Sequence, residues 1–117
     1  MITIPVDESY ALDFLSILRI KSTKSAQSQN YYKQTLEHIQ AAIGAEKADA
    51  ILASNEYAKL TEANLKVFDA VDKARVDKIP ASEVDALNYQ RYLRKQAIQT
   101  TFFNSNLVEE KFGYEQR

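Results

Sequence analysis

The chain lacks several residue types, and each absence excludes a class of site. It has no cysteine, which excludes disulfides, thiolate zinc sites and cysteine nucleophiles. Its single histidine, His38, cannot form a multi-histidine metal site, and carboxylates alone favour hard cations. Glycine and proline occur only twice each, too rarely for the many tight turns of a sheet protein. Together these absences favour long helices joined by few loops.

Long apolar runs and an excess of one charge are also missing. No apolar run reaches about 18 residues, the length that suggests a membrane helix. The first residues lack the basic start and apolar stretch of a signal peptide, so we expect a cytoplasmic protein. The formal net charge is −1, which does not favour a globally basic nucleic-acid binder. With 117 residues, 45% of them hydrophobic, residues 1–117 are expected to form one helical domain.

Hydrophobic periodicity predicts an all-α fold, an antiparallel bundle of about four main helices. The main helices are expected at residues 8–21, 29–43, 56–76 and 83–103, with a possible short helix at residues 45–53. Residues 22–28 are expected to form a loop, residues 2–6 an extended lead-in that packs on the bundle, and residues 104–117 an irregular tail.

Four positions carry residues that are expected to begin or end these helices. Asp7 can accept a hydrogen bond from the unpaired N–H groups of the first helix. Gly44 is placed to end the second helix, and Ser54 or Asn55 to begin the third. Ser82, with an aspartate three residues later, resembles a capping box for the fourth.

The first predicted helix is apolar on nearly all sides. Only Asp13, Ser16 and Arg19 interrupt the apolar residues before Lys21, and they form one narrow polar stripe. Such a helix is normally buried, either at the centre of the domain or beneath a second subunit. Because a buried charge needs a partner, we expect Asp13 to contact an arginine or a lysine of the last helix.

The last predicted helix carries the most unusual polar pattern of the chain. Asn88, Arg91 and Lys95 are spaced to share one face, and apolar residues bracket them on both sides. This patch can hold a small anion, such as phosphate or carboxylate, by charge-assisted hydrogen bonds. Alternatively, Arg91 and Lys95 pair with acidic residues of a neighbouring helix while their stems cover apolar surface.

The third predicted helix mixes polar and apolar positions. Asn64 lies in its packing line, either buried, where it would fix helix register, or at the edge of the seam. Leu65 widens the apolar face. Asp69 and Asp72 share a face and can bind a divalent cation, but the basic residues among them, such as Lys73, are more typical of an ion-pair face.

Both ends of the chain resemble one family. Residues 10–21, which read YALDFLSILRIK, resemble the start of a family of short uncharacterised bacterial helical proteins, a domain of unknown function that begins like ELxDxLTILxIK. The ending LVEEK at residues 107–111, followed by an aromatic residue, is similar to that family's close. Phe68 stands where the family tends to have Trp, and Phe112 and Gly113 are inserted. The resemblance implies no activity, but it groups these residues: Asp13, Lys21, Asn88, Arg91, Glu109, Glu110 and Lys111. We expect the first helix, the last helix and residues 109–111 to form one polar cluster.

No motif specifies an enzymatic reaction. The sequence has neither a nucleophile elbow nor a glycine-rich phosphate loop, and we expect no cofactor and no metal. The excess of apolar surface on the first helix favours a protein-interaction or oligomerisation module, most simply a homo-oligomer. The alternative is a small anionic-ligand-binding or enzyme-accessory protein that uses Asn88, Arg91 and Lys95. Nucleic-acid binding through the same residues is the least favoured interpretation.

Overall fold

A computed structural model describes residue 2, residues 4–75 and residues 79–104 of the chain. These residues form five helices and no strand: α1 (Glu8–Ser22), α2 (Ala26–Ile43), α3 (Ala45–Leu52), α4 (Asn55–Arg75) and α5 (Ala81–Phe103). The all-α bundle of four main helices and one short helix is therefore confirmed. All but the first residue of the expected irregular tail, residues 105–117, lies outside the described part of the chain.

The first helix, α1, is the central helix of the domain. It packs against α2, α4 and α5, while α3 connects α2 to α4. Leu12, Leu15 and Leu18 are buried along its inner side. Helix α2 adds the predicted seam, since Ile39 is buried and Leu36 packs against the same core. The removal of these apolar side chains from water is the main force that holds the helices together.

Three predicted caps are present. The Asp7 carboxylate accepts a hydrogen bond of 2.7 Å from the Tyr10 N–H at the start of α1. The N–H of Gly44 donates to the Gln40 carbonyl at the end of α2, and Gly44 has a φ of +94°. The Ser54 hydroxyl accepts from the Tyr57 N–H at the start of α4. Each contact satisfies a backbone group that the helix leaves unpaired.

Two helices begin earlier than predicted. Helix α2 begins at Ala26 rather than at residue 29, because the Ser25 hydroxyl accepts from the Ser28 N–H and caps it. Helix α5 begins at Ala81 rather than at residue 83. Pro80 is extended and its carbonyl accepts from the Glu83 N–H one turn later, so the helix starts directly after the proline. The predicted capping box at Ser82 is wrong, since Ser82 lies within the helix.

Two packing predictions are also wrong. The apolar residues of the lead-in, Ile2, Ile4 and Val6, are exposed, and no described backbone hydrogen bond holds residues 4–6 against a helix. On α4, Leu65 is exposed. The buried side of α4 is centred on Asn64, and each step along a helix turns the side chain by about 100°, which points the next residue away from the core.

Candidate functional site

Three polar side chains of α1 point into the bundle. Ser9, Asp13 and Ser16 recur at the spacing of one helical face, and all three are buried. Buried polar groups need hydrogen-bond partners. Asp13 and Ser16 find theirs on α4 and α5, whereas the Ser9 hydroxyl donates to Asp7 and the Ser9 N–H to Gln99 of α5. We call the resulting network the polar seam; it consists of Ser9, Asp13, Ser16, Asn64, Arg91, Lys95 and Gln99.

Asp13 lies at the centre of the polar seam. Its Oδ1 accepts from Arg91 Nε at 3.1 Å, and its Oδ2 accepts from Arg91 Nη2 at 2.5 Å. The Lys95 ammonium lies 3.8 Å from the same Oδ2. The predicted contact between Asp13 and a cation of the last helix is thus confirmed. Arg91 and Lys95 pair with an acidic residue of a neighbouring helix, so a small anion at these two residues would compete with Asp13.

Asn64 joins α4 to the same carboxylate. Its amide Nδ2 donates to Asp13 Oδ1 at 2.9 Å and to the Ser16 hydroxyl at 3.1 Å. Asn64 is fully buried, so the buried interpretation of this residue is correct and the position at the edge is not. Because one amide bridges two residues of α1, a slip of α4 along α1 would break both bonds.

Gln99 extends the polar seam beyond the residues predicted from the sequence. Its Oε1 accepts from the Ser9 N–H at 2.9 Å, and its Nε2 donates to the Glu8 carboxylate at 2.8 Å. The sequence feature that could have identified Gln99 is its spacing, because Gln99 follows Lys95 by four residues and so lies on the same face of the helix. The pairs Ser9–Gln99 and Asp13–Lys95 also show that α1 and α5 run antiparallel.

Lys95 contacts an aromatic ring as well as a carboxylate. Its ammonium lies 5.2 Å from the centre of the Tyr10 ring, within the range of a cation–π interaction. The side chain of Lys95 is only 4% exposed. A buried ammonium is costly unless its charge is compensated, and Asp13 and Tyr10 both contribute to that compensation.

One buried hydroxyl stands apart from the network. The Tyr57 hydroxyl has no hydrogen-bond partner among the described residues. Burial raises the pKa of Tyr57 well above its ordinary value of 10.0, and Tyr32 and Asp13 add to the rise, whereas Arg19 acts in the opposite direction. The phenol therefore stays neutral at any physiological pH.

The other predicted site residues lie away from the polar seam or outside the described chain. Asn88 donates its amide to the Val84 carbonyl of its own helix. Lys21 is exposed near the end of α1, and no described contact joins it to Asp13. The predicted residues Glu109, Glu110 and Lys111 lie outside the described residues. The first and last helices do meet at Asp13 and Arg91, and the part of the cluster at residues 109–111 stays a prediction.

Two carboxylates of α4, those of Glu62 and Asp69, form ion pairs at the surface. Lys73 lies 2.9 Å from Asp69, and Lys66 lies 3.2 Å from Glu62, each one turn apart. Across the described ranges, no group of three or more histidine or carboxylate side chains is arranged to hold a metal ion. The contact between Lys73 and Asp69 agrees with the ion-pair interpretation of this face. In the same part of the chain, no helix has the length and apolarity needed to span a membrane.

The polar seam links α1 to α4 and α5 through hydrogen bonds that converge on one carboxylate. Asp13 accepts three hydrogen bonds and lies beside an ammonium, so little of its capacity of about four acceptor sites is left for a substrate. Comparisons with protein-family models, with curated proteins and with solved structures gave no match. The resemblance to a bacterial helical family stays a prediction.

Proposed function

We propose that this protein is a helical oligomerisation module that pairs with a second copy of itself through the outer face of α1. The observation that carries the proposal is the exposure of two aromatic side chains on the central helix: Tyr10 is 44% exposed and Phe14 is 48% exposed. The apolar residues of the lead-in are exposed as well. We call these exposed residues together the N-terminal apolar surface: Ile2, Ile4, Val6, Tyr10 and Phe14.

The spacing of the aromatic residues supports a helix-to-helix contact. Tyr10 and Phe14 are four residues apart and lie one above the other on α1. Exposed aromatic residues that cluster are typical anchors of protein interfaces. The polar seam holds the inner side of the same helix through Asp13, so the orientation of its outer side is fixed relative to the rest of the bundle.

A second copy is the partner that the chain itself provides. Two-fold pairing places the same patch of each subunit against the other, so an apolar helix face is complementary to itself. The formal net charge of −1 gives little repulsion between copies. A cytoplasmic location, expected from the sequence, is part of the same proposal.

The test is the mass of the protein in solution as a function of concentration. Sedimentation equilibrium of the full chain should show an average mass that rises from monomer towards dimer. Phe14→Ser should return the protein to monomer, because it removes an exposed aromatic anchor. Leu65→Ser is the matched control: Leu65 is 51% exposed but lies on α4, and its variant should associate like the parent chain.

Two outcomes would contradict the proposal. A monomer at every concentration would exclude self-association altogether. An equal loss of association in Phe14→Ser and Leu65→Ser would exclude the outer face of α1 as the specific interface. Circular dichroism of both variants checks that the helices are retained.

A further inference from the structure

A cleft of about 120 Å³ lies between α4 and α5, on a different side of α5 from the polar seam. Its basic and polar rim is formed by Lys59, Glu62 and Lys66 of α4 and by Gln90 and Arg94 of α5. Ala63 and Leu87 complete the lining; Ala63 is buried and Leu87 is half-buried, so they form an apolar floor.

The rim of this cleft is positively charged. Three cations, Lys59, Lys66 and Arg94, face a single carboxylate, that of Glu62. The chain as a whole has a formal net charge of −1, so the cleft is an exception to the overall charge. Like charges gathered around a small space repel one another, and an anion between them removes that repulsion.

We infer that this cleft binds a phosphate dianion, either free or as a terminal phosphomonoester. The guanidinium of Arg94 offers paired donors that match two oxygens of a tetrahedral oxyanion. Lys59 and Lys66 supply charge from the facing helix, and the amide of Gln90 supplies a further donor. The site is independent of the N-terminal apolar surface and of the proposed pairing of two copies.

The volume of the cleft limits the ligand. Pockets for drug-sized molecules and cofactors measure about 300–1,000 Å³, whereas this cleft measures about 120 Å³. A single phosphate group fits this space, and any larger part of a ligand would lie outside it. Glu62 lies 3.2 Å from Lys66, and its carboxylate would oppose the bound anion, so Lys66 would exchange one partner for the other.

The test is a titration of the ¹⁵N-labelled full chain with inorganic phosphate at low ionic strength, followed by amide chemical shifts. We expect saturable shifts confined to residues 59–66 and 87–94. Arg94→Gln and Lys66→Gln should abolish saturation. Lys33→Gln, which removes the same charge from an exposed position on α2, should leave the titration unchanged.

A gain of affinity gives a sharper readout. Glu62→Gln should tighten phosphate binding about two- to fivefold, the size expected for one charge interaction near the surface. Glu37→Gln makes the same change of charge at an exposed position of α2 and should have no effect. Because all these side chains lie at the surface or the cleft rim, the variants should keep the dispersed spectrum of the folded chain.

Unsaturable or widely scattered shifts would overturn the inference, as would equal effects of Glu62→Gln and Glu37→Gln. A parallel titration with glycerol phosphate identifies the source of the group. Equal affinities would indicate recognition of the free ion, and tighter binding of the ester would indicate a phosphomonoester. The phosphate titration can succeed or fail independently of the sedimentation result.

Discussion

The Asp13 carboxylate and the Arg91 guanidinium form a two-point hydrogen bond between α1 and α5, although the residues are 78 positions apart. Side-chain exposure is 5% for Asp13 and 27% for Arg91, so the contact is largely shielded from water. Its parallel geometry fixes both the spacing and the orientation of the two helices. Lys95 and Asn64 then converge on the same carboxylate from two further directions.

Replacement of Asp13 should be the most damaging single polar change in the bundle. Asp13→Asn removes the charge that compensates buried Lys95, and loss of one partner from a buried pair costs about 3–5 kcal/mol. The free energy of unfolding in urea measures the effect. Asp69→Asn is the control, because Asp69 pairs with Lys73 at the surface and its loss should cost less than about 0.5 kcal/mol. Similar losses in both variants would contradict a central role for Asp13.

Asn64 should be needed for its amide rather than for its volume. Asn64→Leu keeps a similar shape but leaves Ser16 without its donor and removes one of three hydrogen bonds to Asp13, which should cost about 1–3 kcal/mol. The same substitution at Asn30, exposed on α2, should be neutral or slightly stabilising, since leucine is the better helix former. Thermal unfolding should show a lower midpoint for Asn64→Leu and an equal or higher midpoint for Asn30→Leu, and a stabilised Asn64→Leu would refute the prediction.

Removal of the Tyr57 hydroxyl should stabilise the domain. Tyr57→Phe keeps the buried ring and deletes an oxygen that has no described partner, so the free energy of unfolding should rise by about 1 kcal/mol. Tyr31→Phe is the matched control on an exposed ring and should change stability little. A clear loss of stability in Tyr57→Phe would show that the hydroxyl makes a stabilising contact.

Tyr57 should also make the domain sensitive to alkali. Burial raises the pKa of the folded phenol above its ordinary value of 10.0, so the native state holds this proton more tightly than the unfolded state. This tighter binding of the proton gives its full stabilisation of the folded state below pH 10. The stabilisation is lost as pH rises towards the folded pKa, by up to about 1.4 kcal/mol per pH unit. Urea titrations above pH 10 should show this decline in the parent chain and a smaller one in Tyr57→Phe. An equal loss of stability in the two chains would contradict a role for Tyr57 in the sensitivity to alkali.

Gly44 should resist substitution for a conformational reason alone. An added Cβ would meet no atom within 4 Å, but the φ of +94° with a ψ of 140° is a backbone geometry nearly confined to glycine. Gly44→Ala should therefore cost about 1–3 kcal/mol without loss of helix in the circular dichroism spectrum. An unchanged melting temperature would show that the joint between α2 and α3 relaxes freely.

Local sequence signals predicted most of the secondary structure. The five helices follow from hydrophobic spacing and from residues such as Asp7, Gly44 and Ser54, whose effects act within one helical turn. Errors arose where two local signals competed, as at Pro80 and Ser82.

The polar stripe predicted for α1 consists of Asp13, Ser16 and Arg19, whereas the buried polar face consists of Ser9, Asp13 and Ser16. Arg19 is exposed and Ser9 is buried, because a spacing of six residues rotates a side chain off the face and a spacing of four keeps it there.

The sequence was enough to predict that this chain forms helices, that α1 is apolar enough to be buried, and that its aspartate pairs with a cation of α5. The packing of the helices was needed to show that Arg91 makes the two-point contact, that Asn64 and Gln99 belong to the same network, and that Lys59, Lys66 and Arg94 surround one cleft. Helix formation and capping depend on neighbours in sequence, whereas the register between helices depends on how their side chains interlock. That register brings together residues that are up to 91 positions apart, as in the contact between Glu8 and Gln99.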